Sequence, residues 1–346
     1  MKKVISLITI LLAAMLLTAC STVYVPQENI NLNYNNLSAG NSSYWLEKDG
    51  CYYSNDSQEE LHYIMKTEKG NTSFDTTSPY GRTYLQGYGD FIYYVRAQGE
   101  DIEDNFYAYD IYQYSIPSKT STFITSADNF DTFFADATHI YIINGQENFN
   151  GYRYTADVIS LETLELITQI PDIYACGMRN QAFTYLKDTK DGFEIFEYSP
   201  KTNKSQKTAG FTLPITQGIE IYQAVNFTSE VMMLESHLTE SEVSKILIYN
   251  FKSEELKTID LPYCPIEIVA YENHAFCTMD DWENGKFYLY SLDLNTFELL
   301  QLGKIHEDKS LFVTSDKDVY LCGWDDEIIH YNLDGTKEQV LVKEKK

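Results

Sequence analysis

The sequence predicts an all-β fold, a seven-bladed β-propeller, and three observations carry that prediction. They are a repeat of blade length, apolar strands set off by turn formers, and a recurring strand signature. Taking the aromatic or apolar centre of one strand per repeat as marker gives Tyr52, Tyr93, Tyr141, Phe183, Val231, Phe276 and Tyr320, spaced by 41, 48, 42, 48, 45 and 44 residues. A period of about 40–45 residues built from strands is that of a propeller blade. Seven such units use residues 44–346 in full. Six and eight blades are the alternatives, because an added strand pair at either end escapes the markers.

Each unit justifies its strands in turn. The marker strand is apolar on both faces, as in Phe91-Ile92-Tyr93-Tyr94-Val95, Ile140-Tyr141-Ile142-Ile143 and Val231-Met232-Met233-Leu234. A continuous apolar strand is covered on both sides, so these residues are expected in an inner strand packed between neighbouring blades. A second strand closes on an aromatic or apolar residue followed by Ser or Asn: Tyr114-Ser115, Tyr198-Ser199, Tyr249-Asn250, Tyr290-Ser291 and Tyr331-Asn332, with Tyr63 and Ile159 as degenerate members. Pro, Asn or Gly then supplies the reversal, as in Ser199-Pro200-Lys201-Thr202-Asn203. The last strand alternates, as in Glu255-Leu256-Lys257-Thr258-Ile259 and Glu338-Gln339-Val340-Leu341-Val342, which marks an outer strand with a wet side.

Ahead of the repeats, Lys2-Lys3 precedes an apolar run from Val4 to Leu17 that ends in Leu17-Thr18-Ala19-Cys20. This reads as a signal peptide, too short for a transmembrane span. Its last four residues resemble the lipobox of bacterial lipoproteins, which implies cleavage before Cys20 and a diacylglycerol on the Cys20 sulfur. The expected organisation is a signal peptide over 1–19, a lipidated Cys20 with a flexible Asn- and Ser-rich tether over 20–43, and a propeller over 44–346. The expected location is the extracytoplasmic face of a bacterial cell membrane, held there by lipid alone.

The marker strands and their lead-in residues, Asp49-Gly50-Cys51-Tyr52-Tyr53 and Asp90-Phe91-Ile92-Tyr93-Tyr94, resemble those of bacterial propeller lipoproteins with Asp-Gly-x-Ile-Tyr-Tyr-like strands. More broadly the chain is similar to WD40 and YVTN-like propellers, in architecture rather than signature. The WD40 dipeptide closes a strand, whereas Trp324-Asp325 sits in the loop before one. The resemblance implies a fold and no particular activity.

Composition narrows the function. With 51 acidic against 26 basic residues and a net charge of −25, the chain lacks the Lys/Arg clusters that nucleic-acid binding requires, so no nucleic-acid partner is expected. Besides Cys20 there are five cysteines, Cys51, Cys176, Cys264, Cys277 and Cys322, an odd number without C-x-x-C spacing, expected as buried free thiols. The six histidines are dispersed over the blades, each serving its own strand or loop. No Gly-x-Ser-x-Gly elbow, phosphate-cradling glycine loop or His-Glu-x-x-His occurs, so no catalytic residue, cofactor or metal ligand is assigned.

The informative segments are acidic loops: Glu100-Asp101-Ile102-Glu103-Asp104, Asp280-Asp281-Trp282-Glu283-Asn284-Gly285 and Gly323-Trp324-Asp325-Asp326-Glu327. Trp282, Trp324 and Trp45 fall in blades that ring closure makes neighbours. Trp282 and Trp324 with Asp280, Asp281, Asp325 and Asp326 are the candidate ligand-binding residues, an aromatic platform beside carboxylates that suits a sugar ring or a cation. Asp188 to Gly192 and Asp280 to Gly285 place carboxylates near a glycine without the full oxygen set of a calcium loop, and are read as turn caps. The expected function is a non-enzymatic surface lipoprotein whose propeller face binds a protein or glycan partner. The alternatives are a carbohydrate-active hydrolase or lyase with acids at the channel mouth, and a structural accessory subunit of an envelope complex.

Overall fold

The computed structural model describes residues 45–48, 51–55, 61–67, 70–74, 85–97, 109–118, 120–148, 151–213, 219–238, 244–306, 309–313, 319–323 and 328–341, with side chains described for most residues from Leu85 onward. Residues 1–44, which hold the signal peptide, Cys20 and tether of the sequence reading, lie outside them.

The strands form antiparallel four-stranded sheets, each built from four consecutive strands. The first holds β1 (Trp45–Lys48), β2 (Cys51–Asn55), β3 (Leu61–Thr67) and β4 (Gly70–Phe74); the second β5 (Leu85–Tyr88), β6 (Phe91–Ala97), β7 (Tyr109–Ser115) and β8 (Thr120–Ala127). The third holds β9 (Phe130–Ala135), β10 (His139–Asn148), β11 (Gly151–Ser160) and β12 (Leu166–Ile173); the fourth β13 (Ala175–Arg179), β14 (Ala182–Asp188), β15 (Gly192–Ser199) and β16 (Lys204–Thr212). The fifth holds β17 (Ile219–Phe227), β18 (Val231–Leu238), β19 (Ser244–Asn250) and β20 (Leu256–Asp260); the sixth β21 (Cys264–Tyr271), β22 (His274–Asp281), β23 (Lys286–Asp293) and β24 (Leu299–Ile305). Strands β25 (Lys309–Val313), β26 (Val319–Gly323), β27 (Ile328–Tyr331) and β28 (Lys337–Leu341) make the last.

First strands of successive sheets lie side by side: β1 by β5, β5 by β9, β13 by β17, β17 by β21, and β21 by β25. The sheets therefore radiate from their first strands, and the chain is an all-β propeller. Burial follows from this arrangement. Tyr93, Tyr141, Phe183 and Phe276 are fully buried, and the apolar clusters run from sheet to sheet, one across the second to fourth, another across the fifth and sixth. Outer strands are wetter, β16 reading exposed at nearly every position.

One expectation is corrected here. The marker residues lie in the second strand of each sheet, β6 for Tyr93, β10 for Tyr141 and β22 for Phe276, and the innermost strand precedes them. The second strand is apolar on both faces because it sits mid-sheet, between two neighbouring blades. The innermost strand is harder to see, being short in β5 and β13 and broken by bulges in β21 and β17, between Pro265 and Glu267 and between Ile221 and Val225.

An innermost strand exposes one unpaired backbone edge, and side chains from the adjacent sheet reach it. Gln86 of β5 donates through Nε2 to the Phe133 carbonyl at 2.6 Å and accepts through Oε1 from the Ala135 amide at 3.2 Å. Other ties between sheets are cationic. Arg179, paired with Glu197 Oε1 of its own sheet at 2.7 Å, donates to the Ser229 carbonyl of the next at 3.0 Å, with its guanidinium 3.6 Å from the Phe251 ring centre. Arg153 reaches Asp188 Oδ2 of the next sheet at 2.7 Å.

The third and fourth strands are joined by a repeated turn. Ser160, Asn250 and Asp293 accept from backbone amides two and three residues ahead, and the residue four ahead, Leu164, Glu254 or Phe297, takes a positive φ of 58°, 58° or 63°. The Ser or Asn that closes the strand signature is this capping acceptor in Asn250, while in the sixth sheet the cap is Asp293 and not Ser291. Cys176, Cys264 and Cys277 are free thiols; Cys176 and Cys277 are buried as expected, but Cys264 is exposed because it opens β21 at the rim of its sheet.

Candidate functional site

Antiparallel registers put the start of each innermost strand at the same end as the turn between second and third strands. In the sixth sheet Cys264 faces Asp280, and Asp281 faces Lys286, so β21 starts beside the Trp282–Gly285 turn.

This turn shows how the sequence presents its tryptophan. Asn284 donates through Nδ2 to both carboxylate oxygens of Asp281, at 2.9 and 3.0 Å, and through its backbone amide to the Asp281 carbonyl at 3.0 Å. Gly285 takes φ 57°, the left-handed conformation that closes the reversal at little cost to glycine. Asp281 is 5% exposed and Trp282, next in sequence, 62%. The Asp281 carboxylate thus builds the turn, and the indole stands out from it. Asp280 is half-buried with Oδ1 lacking a hydrogen-bond partner.

Trp324, Asp325 and Asp326 lie outside the described residues, as does Glu100 to Asp104, and the side chain of Trp45 is not described although its backbone is part of β1. Of the six candidate binding residues, Asp280, Asp281 and Trp282 are therefore placed, all on one turn. Asp188 acts as an ion-pair partner of Arg153, and Thr189 donates to the Gly192 carbonyl at 2.8 Å, which fits the turn role expected for that segment.

Several groups at this end were not singled out from sequence. Tyr263, just before β21, stacks on Tyr288 with centroids 5.3 Å apart and planes 16° from parallel. Burial raises the Tyr263 hydroxyl above its usual range, and the Asp281 charge adds to that. Glu235 on β18 faces the bulged part of β17, and desolvation pushes its carboxyl up to about 7. Asp131, in the bulge at the start of β9, is raised by desolvation to about 6. Glu267 on β21 is raised by desolvation to about 8, partly offset by the Leu311 amide. The Cys264 thiol is raised by desolvation, with Glu235 and Asp280 adding negative charge and the Ser244 hydrogen bond opposing. The one available signal was a carboxylate inside an apolar strand, as in Ile266-Glu267-Ile268. Among the described residues no three His, Cys, Asp or Glu side chains gather in a way that holds a metal ion.

Comparison with solved structures finds the same β-propeller architecture in several proteins. The β-propeller domain of the Trilobed protease from Pyrococcus furiosus, described as having an open velcro topology, is 14% identical over 88% of this chain and 98% of that one, with a TM-score of 0.57. Acylaminoacyl peptidase from Pyrococcus horikoshii is 13% identical with a TM-score of 0.55, and here the likeness covers 88% of this chain but 53% of that one. Oligogalacturonate lyase in complex with manganese is 11% identical, with a TM-score of 0.53 over 87% of this chain and 89% of that one. At such identities the likeness shows the fold alone. No protein-family model matches the chain, and no curated protein matches it in sequence.

Proposed function

We propose that the chain is a lipid-anchored, extracytoplasmic propeller of seven blades that binds a protein or glycan partner at the end carrying the Trp282 turn. The carrying observation is the 62% exposure of Trp282 on a turn fixed by the Asp281–Asn284 hydrogen bonds. A large aromatic ring held out by a built turn is a feature of interaction surfaces, where it offers contact area at low entropic cost. The net charge of −25 favours a partner with basic groups or a neutral sugar over any polyanion. Leu17-Thr18-Ala19-Cys20 supports the anchor.

The test is a panel of envelope glycans and purified envelope proteins against the full chain and Trp282→Ala. Binding lost in the variant supports the reading, and binding retained at full strength, or none to any member, counts against it. For the anchor, labelled palmitate should enter the wild type and not Cys20→Ala.

A hydrolase or lyase is the second reading. It is favoured by the unpartnered Oδ1 of Asp280 at the same end, beside carboxyls held as high as about 7 at Glu235. Turnover of an acidic or neutral oligosaccharide that disappears in Asp280→Asn, with melting unchanged, would decide for it.

A further inference from the structure

Two side chains on innermost strands grip the backbone edge of the next innermost strand in the same way. Gln86 of β5 accepts from the Ala135 amide and donates to the carbonyl two residues earlier, that of Phe133. Glu267 of β21 accepts through Oε2 from the Leu311 amide of β25 at 2.8 Å, and the carbonyl two residues earlier belongs to Lys309. Alternation along β21 sets Glu267 on this side, because Val269 and Tyr271, two and four residues on, belong to the apolar cluster that holds Leu311 and Val313. Glu267 is 5% exposed, and its Oε1 has no hydrogen-bond partner. The difference from Gln86 is one donor: a glutamine presents an acceptor and a donor, whereas a carboxylate presents two acceptors and leaves the second unpaired.

We propose that Glu267 is a proton-operated clasp between the sixth and seventh sheets, closed when its carboxyl is neutral and Oε1–H donates to the Lys309 carbonyl, and opened by ionisation. A protonated carboxyl has the donor and acceptor pattern of the glutamine amide, so the neutral group fills the role that Gln86 shows. The ionised group would be a buried charge with a single amide facing it, the less stable state. Among the described neighbours none is cationic. Across β22 the facing residue is Thr278, with Asp280 two residues on and Cys264 opposite Asp280, and the fifth sheet contributes Glu235, which lines a small cavity with Glu267. On the seventh sheet the side chains of Lys309 on β25 and Cys322 on β26 lie outside the described residues. Desolvation accordingly raises the Glu267 carboxyl to about 8, the Leu311 amide offsetting part of it. That is above the unfolded 4.5, so the contribution of the clasp is full below pH 4.5, declines as the pH rises to about 8 and is absent beyond. Glu267 lies in the half of β21 that begins beside the Trp282 turn, so the clasp governs how firmly the two sheets hold together at that end.

The test is urea unfolding of the full chain and of Glu267→Gln from about pH 5 to about pH 9, with the infrared band of protonated carboxyls followed over the same range. Glu267→Gln keeps an oxygen for the Leu311 amide and carries the donor at every pH. The ratio of its folding constant to that of the wild type should climb by up to about tenfold per pH unit as far as about pH 8 and then level off. At pH 7 the wild type should show a buried carboxylic-acid band that Glu267→Gln lacks and Glu235→Gln keeps, and the band should vanish as the pH passes about 8. The Glu235→Gln arm reads Glu267 even if Glu267→Gln fails to fold. A ratio that stays flat with pH, or a Glu267→Gln variant less stable than the wild type at pH 9, would mean an ionised carboxylate satisfied by an ordered water and would overturn the proposal. Loss of the band in Glu235→Gln overturns it too, by assigning the proton to Glu235.

Discussion

Tyr141 and Phe183, 42 residues apart, stack face to face with ring centroids 4.6 Å apart and planes within 8° of parallel, joining the third sheet to the fourth. Both rings are fully buried. The Tyr141 hydroxyl donates to Asp136 Oδ2 at 2.6 Å, and Asp136 Oδ1 accepts from the amides of Thr138 and His139 at 2.7 and 2.8 Å. One carboxylate thereby fixes the turn between β9 and β10 and the orientation of a ring that packs on the next blade. Burial alone would raise the Asp136 carboxyl, but the hydrogen bonds from His139, Tyr141 and Thr138 outweigh it and leave it below the usual carboxylate range.

Asp136→Ala should cost about 3 kcal/mol, because it strands the buried Tyr141 hydroxyl and frees the turn amides. Urea unfolding reads this, with a smaller loss for Asp136→Asn. The folded carboxyl lies below its unfolded value of 3.8, so its contribution is present above pH 3.8 and is lost as the pH falls through the folded value.

Asp131 should act in the opposite sense. Its folded value of about 6 lies above the unfolded 3.8, so stability is full below pH 3.8, falls as the pH rises to 6, and stays low beyond. The interval corresponds to on the order of 3 kcal/mol. Asp131→Asn should be more stable than the wild type at pH 7, with the difference shrinking toward zero by pH 4. A constant difference across that window would contradict the assignment.

Glu254 is exposed and held at φ 58°, where a Cβ is strained. Glu254→Gly should stabilise by about 0.5–1 kcal/mol, the relief of left-handed strain exceeding the added entropy of glycine. Asn250→Ala in the same turn should destabilise by about 1 kcal/mol, since the Lys252 and Ser253 amides lose their acceptor. Denaturant midpoints of the two variants should move in opposite directions.

The Tyr141–Phe183 stack also explains how much of the fold was legible. The repeat was visible because the contact between blades demands a large apolar side chain at one fixed place in each second strand, and a constant place leaves a period. The innermost strand left no such trace. Ala175-Cys176-Gly177-Met178-Arg179 is short and carries a glycine whose Cβ would lie 3.0 Å from the Phe227 ring, and β21 and β17 break their alternation with bulges. At the candidate site, Trp282 was legible as an aromatic among acids. Glu267 was not, because a carboxylate in an apolar strand looks like a solvent-facing position until the neighbouring sheet is seen to cover it.

Trp282→Ala should leave folding stability within about 0.5 kcal/mol of the wild type, since the indole is largely in solvent and the turn is held by Asp281 and Asn284. Asp281→Ala, by contrast, should lower the melting temperature by removing both acceptors of the Asn284 amide.

That separation of stability from binding makes one measurement the most direct test of the loop-end surface: the affinity of the wild type and of Trp282→Ala for the glycan or envelope protein that the panel yields, at matched melting temperature. A hot-spot tryptophan predicts at least a tenfold loss, about 1.4 kcal/mol or more. Equal affinity in the two proteins would contradict the surface and direct attention to the opposite end of the sheets.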